Sequence, residues 1–194
     1  MSTQHFLSQN LDVDRPVVAI FGSAAVDIEP YLIAIAEKVG EILSRLNVVV
    51  VTGGCTGVPS IVARSARVLG VKTMAFFPDE HEEIVHHNKQ IHNNDNPDYY
   101  DMKYYFKGFS DRSLQMIKVA DLAIIVNGRI GTLSEWAMSV EEGLPCIVLR
   151  SGGVTEIIGS AISIANREFT EKEHLIVDSI EELEKAITKI ISFL

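Results

Sequence analysis

Five short stretches of this chain are apolar at nearly every position, and this constrains the fold more than any other feature of the sequence. They are Val17–Phe21, Val48–Val51, Thr73–Phe77, Leu122–Val126 and Cys146–Leu149. A strand with one wet face alternates apolar and polar residues, whereas a strand without that alternation must be covered on both faces. Between these runs, apolar residues recur at helical spacing. From about Glu29, the series Leu32, Ile35, Val39, Ile42, Leu43 and Leu46 predicts a helix. Pro30 suits its first turn, where a missing N–H costs nothing. Ile61, Val62, Ala66 and Leu69 predict a second helix, terminated by Gly70. A helix around Ser110–Val119 leads into the fourth strand, and another runs from about Thr132 to Glu142 with Gly143 as its stop. A weaker strand is expected at Leu175–Val177. The last helix opens on a capping box of Ser179 and Glu182 and buries Leu183, Ile187, Ile190 and Ile191.

Strands buried on two sides and alternating with helices specify α/β architecture: a Rossmann-like, doubly wound parallel sheet in a single domain. The 194 residues leave little room for a second domain. We expect one domain over 16–194 and a flexible N-terminus over 1–15. The rhythm breaks at Asp79–Lys107, which is rich in His, Asn, Asp and Tyr and poor in aliphatics. It is not expected to form a core strand, and reads as a loop or lid over the strand ends, where doubly wound folds hold ligands.

Charge narrows the function. The formal net charge is −9 and no run of Lys or Arg stands out, which argues against nucleic-acid or anionic-membrane partners. A small phosphorylated molecule is still admissible, because a few backbone N–H groups can meet its charge. No apolar stretch is long enough to span a bilayer. Met1–Pro16 is polar and lacks the apolar core of a secretory leader, so a cytoplasmic location is expected. The two cysteines, Cys55 and Cys146, have neither metal-ligand nor redox spacing.

Two glycine loops carry the chemistry. In Thr52-Gly53-Gly54-Cys55-Thr56-Gly57 and in Val126-Asn127-Gly128-Arg129-Ile130-Gly131-Thr132, a strand passes through glycines into a helix. Such a turn lets backbone N–H groups approach an anion at a helix N-terminus. It serves equally as a tight turn with no ligand. Glu135 falls in the first turn of the second helix, where it either complements the helix dipole or serves a reacting centre. Arg112, in Ser110-Asp111-Arg112-Ser113, sits on a helix patterned with apolar residues; a salt-bridged arginine is the plain alternative to a site residue.

Taken together, Gly53-Gly54-x-x-Gly57, Arg112, Ala120-Asp121 and Gly128-x-x-Gly131-Thr132-x-x-Glu135 resemble the Lonely Guy (LOG) family, once described as lysine decarboxylase-like. That family belongs to a wider group of nucleotide-binding domains that includes the DNA-processing protein DprA. The resemblance spans roughly residues 17–149. It implies a homodimer or higher homo-oligomer that hydrolyses the N-glycosidic bond of a nucleoside 5′-monophosphate, with no cofactor or metal. In that reading Glu135 stabilises an oxocarbenium-like sugar or activates water, and Arg112 orients it or the substrate. Gly131 and Thr132 would hold the phosphate, flanked by Asn127, Gly128 and Arg129. Gly53, Gly54 and Gly57 would line the opposite wall with Gly22 and Ser23.

Three departures stand out. Asn127-Gly128-Arg129 replaces the family's Pro-Gly-Gly, Ser113 replaces the Lys after the motif arginine, and Gly57-Val58-Pro59-Ser60 replaces Gly-Leu-Met-Gly. They resemble a divergent branch that is also similar to molybdenum cofactor carrier proteins, which implies as the alternative a carrier that binds a pterin phosphate without hydrolysis. His81, His86, His87 and His92, with Glu82 and Glu83, miss zincin spacing, and no metal is expected there. Tyr99, Tyr100, Tyr104 and Tyr105 could stack on a base or pack the excursion down.

Overall fold

Strand β1 (Val17–Gly22) lies at the centre of a seven-stranded, all-parallel sheet. The computed structural model describes residues 14–88, 93–164 and 174–194. Chain order continues through α1 (Pro30–Ser44), β2 (Val49–Thr52), α2 (Val58–Val68), β3 (Lys72–Phe77), α3 (Glu82–His87), a 3-10 turn at Pro97–Tyr99 and β4 (Met102–Tyr105). It then runs through α4 (Gly108–Val119), β5 (Leu122–Val126), α5 (Ile130–Glu141), β6 (Cys146–Leu149), α6 (Thr155–Ile164), β7 (His174–Val177) and α7 (Ile180–Ile191). The spatial order is β4-β3-β2-β1-β5-β6-β7. The expected flexible N-terminus falls almost wholly on residues 1–13, outside the described residues.

Continuous apolar strands are accounted for by two cores. Val18, Ile20, Val50, Ala75, Phe77, Ile124 and Ile147 face one, which α1, α2 and α7 close with Leu32, Val39, Leu43, Val58, Val62, Leu183 and Ile187. Their sequence neighbours Ala19, Phe21, Val51, Met74, Phe76, Ile125 and Val148 face the other, closed by Met116, Ile117, Trp136 and Ile158 from α4, α5 and α6. Right-handed crossovers explain this partition. The chain moves outward from β1 to β4 beneath one layer of helices, returns to β5, and moves outward again to β7 beneath the other.

The Asp79–Lys107 excursion departs from expectation, because its last part forms strand β4 beside β3. An edge strand is paired on one side only, and here aromatics replace aliphatics. Tyr104 meets Phe76 edge-on at 5.2 Å, and Tyr105 stacks on Phe77 at 5.7 Å. Tyr100 is buried, and Arg64 lies 4.6 Å over the Tyr99 ring. These tyrosines pack the excursion onto the domain. Helix α6 is a further element without a sequence signal; it begins at Thr155, with only Val154 between it and the Gly152-Gly153 pair, and has Gly159 inside it. At α7, Ser179 Oγ accepts the Glu182 N–H at 3.2 Å, but Glu182 Oε2 reaches back to the N–H of Asp178 rather than Ser179.

Helices α1 and α2 approach closely because position 40 has no side chain. A Cβ there would stand 2.6 Å from Ser65 Cβ and 2.9 Å from the Val62 carbonyl. Overpacking costs about 1–3 kcal/mol, set against a helix-propensity gain of about 1 kcal/mol for alanine. Gly40→Ala is therefore expected to lower the urea midpoint, with a net loss of up to about 2 kcal/mol; a raised midpoint would show that the helices separate at no cost.

Candidate functional site

At the carboxyl end of the sheet, strand order reverses: β1 has β2 on one side and β5 on the other. The connections leaving β1 and β5 diverge there and open a crevice. A cavity of about 270 Å³ occupies it, lined by Gly22, Ser23, Gly53, Arg112, Gly131 and Glu135, among others. Small-molecule sites run from about 300 to 1,000 Å³, so this one suits a compact ligand.

The second glycine loop supplies one wall. Asn127 sits in the left-handed region, φ 57°, where asparagine is tolerated. Its Nδ2 donates to the Ser151 carbonyl at 2.7 Å, its N–H donates to Ser151 Oγ at 2.8 Å, and its Oδ1 accepts the Gly128 N–H at 2.7 Å. Asn127 thus ties the β5 turn to the loop after β6 and does not line the cavity. Gly128, φ 102°, lies against the Thr132 side chain, where a Cβ would collide. The Thr132 hydroxyl donates to the Gly22 carbonyl at 3.1 Å, locking the start of α5 to the end of β1. The first α5 N–H that finds a carbonyl within its own chain turn is that of Leu133, bonded to Arg129. The amides of Ile130, Gly131 and Thr132 have no hydrogen-bond acceptor among the described residues, as at any helix start, and Gly131 and Thr132 line the cavity. Arg129 lines it too, with an exposed side chain.

The first glycine loop is built differently. Its Thr56 N–H donates to the Asn93 carbonyl at 2.7 Å, while the Gly54 carbonyl accepts the Asp95 N–H at 2.8 Å. The Gly54 N–H goes to Thr52 Oγ1 at 3.3 Å. Gly54 lies against the Phe77 ring and Gly57 against the Ser23 carbonyl, both at positive φ. Those two glycines shape the turn, and of the three only Gly53 reaches the cavity. A methyl group on Gly53 would overlap the Arg112 guanidinium.

Arg112, from α4, is buried against that loop. Its Nη1 donates to the Gly53 carbonyl at 3.0 Å and its Nη2 to Glu135 Oε1 at 3.3 Å. Ser113 Oγ donates to the same Oε1 at 3.2 Å. The two side chains of the ion pair are 8% and 12% exposed. Arg112 Nε is buried without a hydrogen-bond partner among the described residues. Burial pushes the Glu135 carboxyl above its ordinary value, opposed by the Arg112 charge and the Ser113 hydrogen bond. A carboxylate whose affinity for protons is raised, beside a fixed cation, is suited to proton transfer or to stabilising a developing positive charge.

Several lining residues had no sequence signal: Ala24, Cys55, Pro59, Asn93 and Phe109. Cys55 Sγ stands 4.0 Å from Arg112 Nη1, a cation that sequence distance hides. Burial still pushes this thiol up, so it is not a resting thiolate. The Phe109 ring lies 5.7 Å from the Arg112 guanidinium carbon. Among the described residues no three His, Cys, Asp or Glu side chains are grouped to hold a metal ion, and His92 lies outside them. Glu82 instead binds Lys103 at 3.2 Å and the Tyr105 hydroxyl at 2.9 Å. Among the described residues no helix is long and apolar enough to cross a membrane.

The sequence model of the SLOG cluster4 family matches residues 15–186, in keeping with the LOG-like motifs. Among solved structures, TM1055 is 24% identical, with a TM-score of 0.73 over 91% of this chain and 99% of that one. The molybdenum cofactor binding protein from Rippkaea orientalis is 21% identical, with a TM-score of 0.71 over 93% and 99%. DNA processing protein A from Helicobacter pylori, described with a single-stranded DNA binding mode, is 20% identical, with a TM-score of 0.63 over 91% and 82%. These likenesses are of fold. They leave the case against nucleic acid resting on charge alone.

The raised Glu135 carboxyl gives a pH signature with a definite sign. From the ordinary value of 4.5 upward to its folded value, the native chain holds this proton and the unfolded chain does not. Its contribution is therefore complete below the unfolded value and is lost as pH rises through the folded one, at no more than about 1.4 kcal/mol per pH unit for one proton. Urea unfolding of the wild type and of Glu135→Gln between pH 4 and 7 should show this descending component in the wild type alone; identical slopes would mean that Glu135 titrates normally.

Proposed function

The chain belongs to the SLOG cluster4 family, and from that premise and the Arg112–Glu135 pair we propose that it is a nucleoside 5′-monophosphate phosphoribohydrolase. The observation that carries the proposal is a buried carboxylate with one oxygen bound by Arg112 and Ser113, lining a cavity that the start of α5 also lines. The 5′-phosphate sits at the free amides of Gly131 and Thr132, where the helix dipole favours an anion, and Arg129 adds a charged contact from the rim. The ribose lies over Glu135, and Phe109 offers the base an aromatic face. Gly22, Ser23 and Gly53 form the remaining wall. Gly54, Gly57, Asn127 and Gly128 act indirectly, by holding both turns in shape.

The chemistry is hydrolysis of the N-glycosidic bond. The bond between the anomeric carbon and the base nitrogen breaks with its electron pair leaving on the base. Water adds its oxygen to the anomeric carbon and gives up one proton, and the base is released protonated. Glu135 Oε2, which has no hydrogen bond among the described residues, stabilises the oxocarbenium-like sugar or accepts the proton from water. Arg112 holds the carboxylate and keeps it charged against the cost of burial.

A second reading has its own support. Arg129 stands where the resembled motif has glycine, and the Rippkaea orientalis neighbour is a molybdenum cofactor binding protein. Here the cavity holds a pterin phosphate and performs no hydrolysis. Homo-oligomer assembly is an expectation of the resemblance, and a cytoplasmic location one of the polar N-terminal sequence.

The test is base release from a panel of nucleoside 5′-monophosphates, followed chromatographically, with binding measured by calorimetry. The hydrolase reading expects turnover, a loss of 100-fold or more in Glu135→Gln, on the order of what a general acid–base contributes, and retained binding. Monophosphates that bind with no base released would sink it. The carrier reading then expects pterin phosphate binding to survive Glu135→Gln and to weaken about tenfold or more in Arg129→Gly, the value of one charged hydrogen bond; unchanged binding in that variant would remove its support.

A further inference from the structure

Ser113 occupies a position where the resembled motif carries a lysine, and its side chain is spent on the site. It is 3% exposed, one residue after Arg112 on α4, and its hydroxyl lies 3.2 Å from Glu135 Oε1. Arg112 Nη2 approaches that same oxygen at 3.3 Å. Two donors converge on one carboxylate oxygen from neighbouring residues of one helix. Arg112 is in turn held by the Gly53 carbonyl at 3.0 Å, so one of the two donors is anchored across the cavity. A carboxyl group gripped at one oxygen by two fixed donors cannot turn about its terminal bond without breaking both. Its other oxygen keeps its lone pairs, and Glu135 lines the cavity.

We propose that Ser113 is a positioning residue, which fixes the rotation of the Glu135 carboxylate so that Oε2 is presented bare to the ligand. The inference rests on the reading of Glu135 as the reacting carboxylate. A neutral hydroxyl does this without adding a second cation. A lysine ammonium at the same place would hold the carboxylate more firmly in its charged form and compete for the free oxygen, since it has three donors and no directional preference. Serine has one, and that one is directed at Oε1. The charged and titratable groups around Glu135 are then Arg112 from α4, Cys55 from the first glycine loop and Arg129 from the start of its own helix. Arg112 lowers the proton affinity of Glu135 by charge, Ser113 lowers it by its hydrogen bond, and burial raises it.

The experiment is a carbon-13 NMR titration of the full chain labelled at the glutamate carboxyl carbon, with the Glu135 signal identified by its loss in Glu135→Gln. Ser113→Ala removes the hydrogen bond and is expected to raise the Glu135 midpoint by about one to two units, as one hydrogen bond to a charged group is worth. Ser113→Thr keeps the hydroxyl and is expected to restore it. Should Ser113→Ala fail to fold, Ser113→Cys, nearly equal in size and a weaker donor, is expected to give a smaller rise. A midpoint that does not move in a folded Ala or Cys variant overturns the proposal, because a packing role alone would leave the titration unchanged. The titration needs no turnover, so the two readings fail separately. A shifted midpoint in a protein that releases no base keeps the positioning role and removes the hydrolase. Base release with an unmoved midpoint and an unmoved acid limb of kcat does the reverse.

Discussion

An all-parallel sheet must make every connection by a crossover, and the handedness of those crossovers is the constraint from which the rest of this structure follows. Because β1 is central, the chain departs from it in one direction under α1 and α2 and later in the other under α5 and α6. The layers must part where the direction changes, and that parting is the cavity. Everything at the site is an answer to the resulting geometry. Two strand ends lie side by side, two turns must leave them without colliding, and a helix start is left facing the gap. Thr132 bonded to the Gly22 carbonyl joins that helix start to the end of β1.

Into this gap the fold places a buried ion pair. Removing one partner of such a pair costs about 3–5 kcal/mol, while replacing both with apolar residues is often neutral or stabilising. Stability therefore gives no reason for Arg112 and Glu135 to be there. Arg112 deepens the point, since its Nε is buried with no hydrogen-bond partner among the described residues, and an unmatched buried donor is a further cost. The pair stands at the switch point and lines the cavity, which is where the proposed hydrolase reading needs it.

The strands were legible because they are buried on two faces, which removes the alternation that would have made them ambiguous. Strand β4 was not, because an edge position lets Tyr104 and Tyr105 do work that aliphatics do in β2 or β5. Helix α6 lacked a clear signal because glycines precede and interrupt it. At the site, Arg112, Glu135, Gly131 and Thr132 were legible as a motif, and the structure brings them to one cavity. The roles within the motif were less visible. Gly54, Gly57, Asn127 and Gly128 were read together with the lining residues, yet they stand behind the wall. A glycine required for a positive φ and one required for a ligand's approach look the same in a sequence. Cys55 and Asn93 were silent because their meaning depends on neighbours dozens of residues away.

The excursion from Asp79 to Lys107 shows how far such distant neighbours are bound together. Its inner part is held by a buried polar network: Asp95 Oδ2 accepts from the Ser60 and Tyr100 hydroxyls, and Asn94 Nδ2 donates to Asp79 Oδ2 at 2.6 Å. Ser60 belongs to α2, the helix that the first glycine loop opens. The backbone of 93–95 pairs with Gly54, Cys55 and Thr56 of that same loop. The excursion is therefore joined to the site through its backbone as well as through Asn93 at the cavity wall. Low-dielectric surroundings make each of these bonds strong and each unmatched group costly, so the network yields as a unit. Gly53, whose carbonyl holds Arg112, is the residue next to this seam. The excursion and the Arg112–Glu135 pair thus meet at adjacent residues of one loop, which ties the least regular part of the chain to the most constrained.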